Sequence, residues 1–581
     1  MPQANEHKPN GSPAGAWATS WHKWLGVGVL ACAALVRVVC FVQTTDVPTS
    51  QHLIGDAKGY YEWAQRIAAG DWLGSEPFYQ APLYPYLLAL RFKILGDEVL
   101  KLRLAQCVAA VWGTLFLYWA ASRLFGRREG FVAGLMLALY APAIFFDVIV
   151  QKAWLGCLLL CALMILLART ADVRKLRACV LVGVVLGLMV LTRENALVWL
   201  PVIALWVWAV WKGESSGVRL RAVGAYFIGL CIVLAPVAVR NAKVGGEWSL
   251  STFQAGPNFY IGNHAGADGR YQPLVRGHES PAFERHDATV LAEAAMGRSL
   301  SAREVSSYWF GRAADDMRED PAGWLALLGK KMLMVWNRYE VSDGESLKVY
   351  AESSSVLRVL GGVWHFGVLC PLAFVGIAAT WSSRRRLWVY YVLIATMAGS
   401  VAIFYVLARY RFPLVPLLIP FAAAGCVRTW DGFRSVGWRS LPGPAVIALL
   451  VAVVVNLPVH DERRLDAMAR MNAGVALASS GDLEGAAPYF RSAVDVHPGS
   501  AEAHNNLAQL LALQGDFSGA VEEYRVALSL APGLGGVDYN LAVALERIGR
   551  VDEAMSHFSR AVELDPGDAA ARAALERLRR R

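Results

Sequence analysis

Eleven apolar runs constrain this chain more than any other feature; they lie near residues 22–43, 100–123, 130–147, 152–168, 176–192, 196–211, 219–239, 357–380, 387–407, 411–427 and 442–458. A helix of roughly 17–25 residues crosses the ~30 Å hydrocarbon core of a bilayer, and the runs approach or reach that length. Inside hydrocarbon each backbone N–H and C=O must be paired within its own segment, so the runs read as helices. The chain is expected to be an all-α polytopic membrane protein with about 11 transmembrane helices. A hydrophobic content of 56% over 581 residues agrees, since a soluble core uses less.

The loops set the topology. Arg123, Arg127 and Arg128 follow the second run, and Arg169, Arg174, Lys175 and Arg177 the fourth. Lys212, Arg219 and Arg221 follow the sixth, Arg384 to Arg386 the eighth, and Arg428, Arg434 and Arg439 the tenth. These five basic loops share one face with the N-terminal tail, 1–21, and the positive-inside tendency makes that face cytoplasmic. The net charge of +9 is thereby spent on topology, and no nucleic-acid partner is expected. No signal-peptide cleavage pattern follows the first run. All nine cysteines sit in or beside apolar runs, which gives no redox or metal framework.

With an odd number of spans, the loop 44–99, the segment 240–355 and the C-terminal tail all face outward. The outward loop 55–86 is poor in charge and rich in rings, including Tyr60, Tyr61, Trp72, Tyr79, Tyr84 and Tyr86, and it carries Asp56. Such a stretch is expected to lie along the headgroup layer, with Asp56 near lipid phosphates. Asp147 closes the third run and falls on the same face. So do Lys152, Arg193, Arg240, Arg409 and Arg411 at span ends. Outward cations at the hydrocarbon edge run against the positive-inside tendency. A guanidinium grips phosphate oxygens in a fork, so an anionic phosphate is the natural ligand for them.

Segment 240–355 opens on NFYIGNHAGADGRYQP, which reads as strand and turn; a charged helical stretch follows near 282–322. The apolar run Trp324–Trp336 then returns towards the membrane and is too short to cross it. His264, His278 and His286 are spaced 14 and 8 apart and match no compact ligand pattern, so no metal ligand is assigned. No cofactor is called for by any motif, and a divalent cation is left open.

After a short linker, 459–465, the tail changes character. Pro498, Pro532 and Pro566 are 34 apart, and in the same register fall Asn472, Asn506 and Asn540, then Gly481, Gly515 and Gly549. Ala486, Ala520 and Ala554, then Phe490, Tyr524 and Phe558, then Ala493, Ala527 and Ala561 continue the pattern. This is the period of tetratricopeptide helix pairs, so 466–581 is expected to be an α-solenoid of three repeats with a protein-binding concave face.

Taken in order, Gly55-Asp56 to Tyr61, the APLYP turn, Asp147, Arg240-Asn241 with NFYIGN, and ARYRFPLVP resemble the GT-C glycosyltransferases over residues 20–460. The likeness is nearest to protein O-mannosyltransferases and the bacterial aminoarabinose-to-lipid-A transferases. It implies transfer of a sugar from a polyprenyl-phosphate donor to a protein, lipid or glycan acceptor at the periplasmic face of a bacterial inner membrane. Asp56, where relatives often carry a pair of acids, and Asp147 then match the catalytic positions. Lys152, Arg193, Arg240, Arg409 and Arg411 are the candidates for the donor phosphate. Tyr60, Tyr84, Asn258 and Asn263 belong to the substrate-facing loops.

The chemistry is consistent with these types. An acceptor hydroxyl needs a base, which a partly dry carboxylate supplies, and a departing phosphate needs cations. Two other classes use the same parts. A flippase for lipid-linked sugars would show an internal repeat among its spans, and none is evident. An assembly scaffold would need a single span to anchor its repeats. If the repeats only recruit a partner, their removal is expected to leave transfer to a small acceptor intact.

Overall fold

The computed structural model describes residues 14–250, 252–275, 278 and 281–580. Residues 1–13 of the expected N-terminal tail lie outside them, and 14–21 continue into the first helix. Helices α1 (Ala14–Gln43), α2 (Pro48–Gln51), α3 (Gly55–Ala68), α4 (Leu83–Leu95), α5 (Val99–Leu124), α6 (Arg127–Ala138), α7 (Ala141–Val148), α8 (Ala153–Val173), α9 (Leu176–Val190), α10 (Trp199–Val210) and α11 (Ser216–Gly245) come first. The long segment holds α12 (Ala255–Asn263), α13 (Pro281–Met296), α14 (Ala302–Glu319) and α15 (Pro321–Trp336). Then follow α16 (Leu347–Ser353), α17 (Ser355–Val363), α18 (Phe366–Ala379), α19 (Arg384–Ile403), α20 (Ala408–Arg411), α21 (Leu414–Val436) and α22 (Pro442–Val455). Extended pairing among the described residues is limited to two isolated bridges, so the all-α expectation holds.

Among the described residues six helices are long and apolar enough to cross a membrane, or eight with each of two bent pairs counted as one span. The pairs are α6 with α7, bent by 53°, and α17 with α18, bent by 43°. The other predicted runs fall on the shorter apolar helices Leu176–Val190, Glu194–Val210 and Pro442–Val455. Thus all eleven runs are helical, and the count of full-length spans is smaller than expected. The break before α7 has a local cause: Pro142 stands at the start of the helix, where its missing N–H is tolerated only as a first-turn residue.

Small residues let these helices touch. A Cβ on Gly183 of α9 would lie 2.1 Å from the Tyr226 carbonyl of α11, and one on Gly229 would lie 2.0 Å from the Val180 carbonyl. In lipid, where burial of apolar surface gives little drive, such close packing supplies the adhesion. The opening NFYIGN of the long segment corrects its strand reading: it is helix α12, whose face carrying Ile261 joins Tyr339, Val341, Tyr405 and Leu407.

The tail folds as helix pairs α23 (Glu462–Ser479) with α24 (Leu483–Val496), α25 (Ala501–Leu513) with α26 (Phe517–Leu530), and α27 (Val537–Arg547) with α28 (Val551–Leu564), closed by α29 (Ala569–Arg579). The repeating columns explain the stack. Ala486, Phe490 and Ala493 are buried, and Gly474 has no room for a Cβ, which would come 2.8 Å from the Phe490 ring. Gly481, Gly515 and Gly549 turn each pair at φ +83° to +90°, a conformation side-chain-bearing residues rarely adopt. Helix α23 begins at Glu462, inside the stretch read as a linker. It packs directly on the membrane part: Arg338–Glu462 is 3.0 Å, Lys348–Asp466 2.8 Å and Arg470–Glu352 2.6 Å.

Candidate functional site

Asp56 stands in the first turn of α3, which the chain enters through Gly55 at φ +53°. A helix N-terminus favours a carboxylate there. The Asp56 side chain is 9% exposed and ion-paired to Nη1 of Arg409, which α20 presents from the far end of the membrane part. Tyr60, one turn on in α3, and Gln80 stand beside the same carboxylate, each at 3.4 Å.

Arg409 owes its position to an extended stretch before α20. Val406 donates to the Gly269 carbonyl and Ala408 to the Val341 carbonyl, each at 2.9 Å. Its Nη2 reaches Asp343 at 2.6 Å and the Tyr410 hydroxyl at 3.2 Å. Asp343 lies on residues 337–346, a strap between α15 and α16, and its side chain is 33% exposed and lines a small cavity of about 20 Å³. Gln151, Glu345 and Arg409 line that cavity's polar side, and Phe145 and Phe146 its apolar side. A wider cavity of about 440 Å³ lies between Pro77 and Tyr79 of the first loop and Phe253, Arg285 and His286. Tyr79 donates to Glu284 at 3.2 Å, so this second wall ends on a further acid.

Two cations complete the group. Lys152 places Nζ 5.5 Å from the Tyr60 ring, and Arg193 lies 5.9 Å from the Tyr410 ring. Both are buried, and neither forms an ion pair among the described residues. Nε and Nη2 of Arg193 have no hydrogen-bond partner, nor has Nε of Arg409. Gly156 makes the space for Arg193; a Cβ there would sit 3.4 Å from its Nε. Buried donors are nearly always paired, so the two guanidinium nitrogens of Arg193 without a partner are an exception.

The carboxylates divide in acidity. Burial works to raise Asp56, but the charges of Arg409 and Lys152 and the hydrogen bonds of Arg409 and Gln80 bring it below its usual range. Burial raises Asp343, whose charge also meets that of Asp56. Burial, reinforced by the Asp56 charge, pushes Glu284 up to about 7. Burial takes Arg193 down to about 10, with the Arg409 charge adding to it. Acids pushed apart by their surroundings take different protonation states at one pH.

The structure brings together Asp56, Lys152, Arg193, Arg409 and Tyr60 of the residues singled out in the sequence. Asn258 stands one step out, accepting from Tyr405 at 3.2 Å, whose hydroxyl is 3.5 Å from that of Tyr410. The others have separate partners. Asp147 is ion-paired at 2.8 Å to Arg37 of α1, which is 2% exposed and also donates to the Ala33 and Ala138 carbonyls. Arg411 donates to the carbonyls of Asn337 and Tyr339 and pairs with Glu340 at 3.0 Å. Arg240 holds the first loop through the Leu73 carbonyl and stacks 3.8 Å from the Phe78 ring. Tyr84 donates to Gln106. Asn263 accepts from Lys331 at 2.9 Å and Trp324 at 3.0 Å, as scaffolding.

The sequence reading assigns no role to Asp343, Glu284 or Tyr410, of which only Tyr410 lies inside a motif, ARYRFPLVP. Glu194 accepts from Gln254 at 2.8 Å and Thr252 at 3.2 Å, which fixes the turn that carries Arg193. Among the described residues no three His, Cys, Asp or Glu side chains converge as metal ligands. His278 pairs with Asp287 at 2.7 Å, and His264 with its neighbour's carbonyl.

Residues 79–240 match the family described as dolichyl-phosphate-mannose-protein mannosyltransferase. Residues 459–495, 471–534 and 511–578 match tetratricopeptide repeat families, so the tail is made of such repeats. No curated protein matches the chain. Among solved structures, ArnT from Cupriavidus metallidurans bound to undecaprenyl phosphate is 16% identical, with 94% of this chain and 81% of that one covered at a TM-score of 0.41. The Archaeoglobus fulgidus oligosaccharyltransferase in its apo form is 15% identical, covering 75% and 55% at 0.42. The Arabidopsis OM64 tetratricopeptide domain is 20% identical, covering 20% and 98% at 0.20. The two resemblances read in the sequence are borne out by the family matches.

Proposed function

From a membrane part that matches the dolichyl-phosphate-mannose-protein mannosyltransferase family over residues 79–240, joined to tetratricopeptide repeats, we propose a polyprenyl-phosphate-dependent glycosyltransferase with Asp56 at its centre. The acceptor hydroxyl attacks the anomeric carbon of the donor. The bond from that carbon to the phosphate oxygen breaks, its electron pair leaves with the polyprenyl phosphate, and the hydroxyl proton passes to the Asp56 carboxylate. Lys152 and Arg193 stabilise the departing phosphate, whose charge grows as the bond opens. Arg409 orients Asp56 and Tyr60 stands beside it. Asp147 serves a buried pair with Arg37 rather than the reaction.

The basic loops support a site at the periplasmic face of a bacterial inner membrane, where donor and acceptor meet without a nucleotide. The observation that carries the reading is the buried guanidinium of Arg193, whose Nε and Nη2 have no hydrogen-bond partner and which lies 5.9 Å from the ring of Tyr410, a partner of Arg409. Its test is binding of undecaprenyl phosphate to the protein in nanodiscs. Charge-assisted hydrogen bonds contribute about 1.5–3 kcal/mol each, so Lys152→Gln with Arg193→Gln is expected to weaken binding at least ~10-fold. Unchanged binding would remove the anion site.

A further inference from the structure

We propose that the first repeat helix, α23, is a positioning element of the transfer site, holding the strap 337–346 in the register that sets Asp343 against Arg409. The proposal rests on the transferase reading for its consequence and on geometry alone for the contact. The strap's near half is fixed by the membrane part: Arg338 donates to the Val455 carbonyl at 2.7 Å, and Asn337 to that of Leu457 at 2.7 Å. The strap also leans on the repeats, at Gly344 beside the acid and at Tyr339. Asn472 of α23 donates to the Gly344 carbonyl at 3.2 Å, next to Asp343. Asp466 accepts from the Tyr339 hydroxyl at 2.6 Å and pairs with Lys348 at 2.8 Å, so one carboxylate grips the strap and the start of α16 beyond it. Tyr350 adds a hold from α16 through Glu345 at 2.7 Å.

The apolar side repeats the arrangement. Leu465 is buried in one cluster with Tyr339 and Val341 of the strap and with Tyr405 and Leu407, the residues leading into Arg409. One helix of the tail therefore shares a buried cluster with both segments that meet at the Asp343–Arg409 ion pair. Gly344, at φ +76°, lets the strap turn where Asn472 takes its carbonyl. Asn472 is also the first member of the 34-residue asparagine column, so the near end of the repeats is occupied by this chain's own strap.

Loosening the strap has a signed consequence for Asp56. That carboxylate is faced by Arg409, Lys152, Tyr60 and Gln80, and further out by Asp343 and Glu284. If Asp343 leaves, Arg409 acts on Asp56 undivided and one repelling carboxylate is gone. Both changes lower the pH at which Asp56 takes a proton.

The test uses the full chain with Leu465→Ala, Asn472→Ala or Asp466→Ala, with Val475→Ala, exposed on the same helix, as the control. Hydrogen exchange of strap amides is expected to quicken at least ~10-fold in the three variants and not in the control. Transfer in membrane vesicles carrying the cell's own donor and acceptor is expected to fall, with its acid limb moved to lower pH. Asp466→Asn, which still accepts from Tyr339, is expected to restore part of both. An unchanged strap overturns the proposal. A quickened strap with transfer and acid limb at parent values also overturns it. If Asp56→Asn proves as active as the parent, Asp56 is removed from the mechanism, and hydrogen exchange alone then decides the contact.

Discussion

Arg409 is ion-paired to Asp56 across 353 positions of sequence, and its second terminal nitrogen is 2.6 Å from Asp343. One guanidinium thus orients the acid given the role of base and holds a second acid that lines the cavity. Arg409→Gln is expected to lower transfer at least ~100-fold, the scale of a displaced general base. With that cation gone, only Lys152 and Gln80 still oppose burial at Asp56 and its pKa rises, so any residual activity has its acid limb at higher pH than the parent. Arg409→Lys keeps the charge without the fork, and a smaller shift is expected. A pH–rate profile of the three proteins checks this.

Asp147 and Arg37 allow the structural and chemical roles of an acid to be separated. Removing one member of a buried pair strands the other, which costs about 3–5 kcal/mol. Asp147→Asn is therefore expected to lower thermal stability in detergent, and transfer with it. Arg37→Met combined with Asp147→Asn removes both charges and is expected to recover most of each. A double variant that is as stable as the parent yet inactive would return Asp147 to the chemistry.

Glu284 titrates where a physiological pH change is felt. It is pushed up to about 7 by burial first and by Asp56 second, with Tyr79 and Arg409 acting the other way. The parent is expected to show an inflection in transfer near that pH, and Glu284→Gln, fixed neutral, to lose it. Stability carries the same mark. A raised carboxyl binds more protons when folded than unfolded between its ordinary value and 7, so stability falls as pH rises through that window. Melting temperatures from pH 5 to 8 should fall less steeply in Glu284→Gln.

Much of this was legible from one-dimensional patterns. The apolar runs marked helices because hydrocarbon leaves the backbone no other partner, and the 34-residue columns marked helix pairs because each column is a packing position. NFYIGN was misread because an aromatic and β-branched run has strand propensity, which packing of Ile261 on Tyr339 and Tyr405 overrides. ARYRFP could not reveal which arginine serves the site. Residues two apart in a helical turn face different ways: Arg409 meets Asp56, whereas Arg411 enters a cage of carbonyls. Asp343 left no signal at all, since its meaning lies in the long-range meeting of strap, α20 and α23.

The measurement closest to the central claim is transfer by Asp56→Asn, made in membrane vesicles alongside undecaprenyl phosphate binding in nanodiscs. The account predicts a loss of at least ~100-fold in rate with binding retained, because the side chain keeps its shape and loses its basicity. Turnover equal to that of the parent, at equal protein in the membrane, would contradict it.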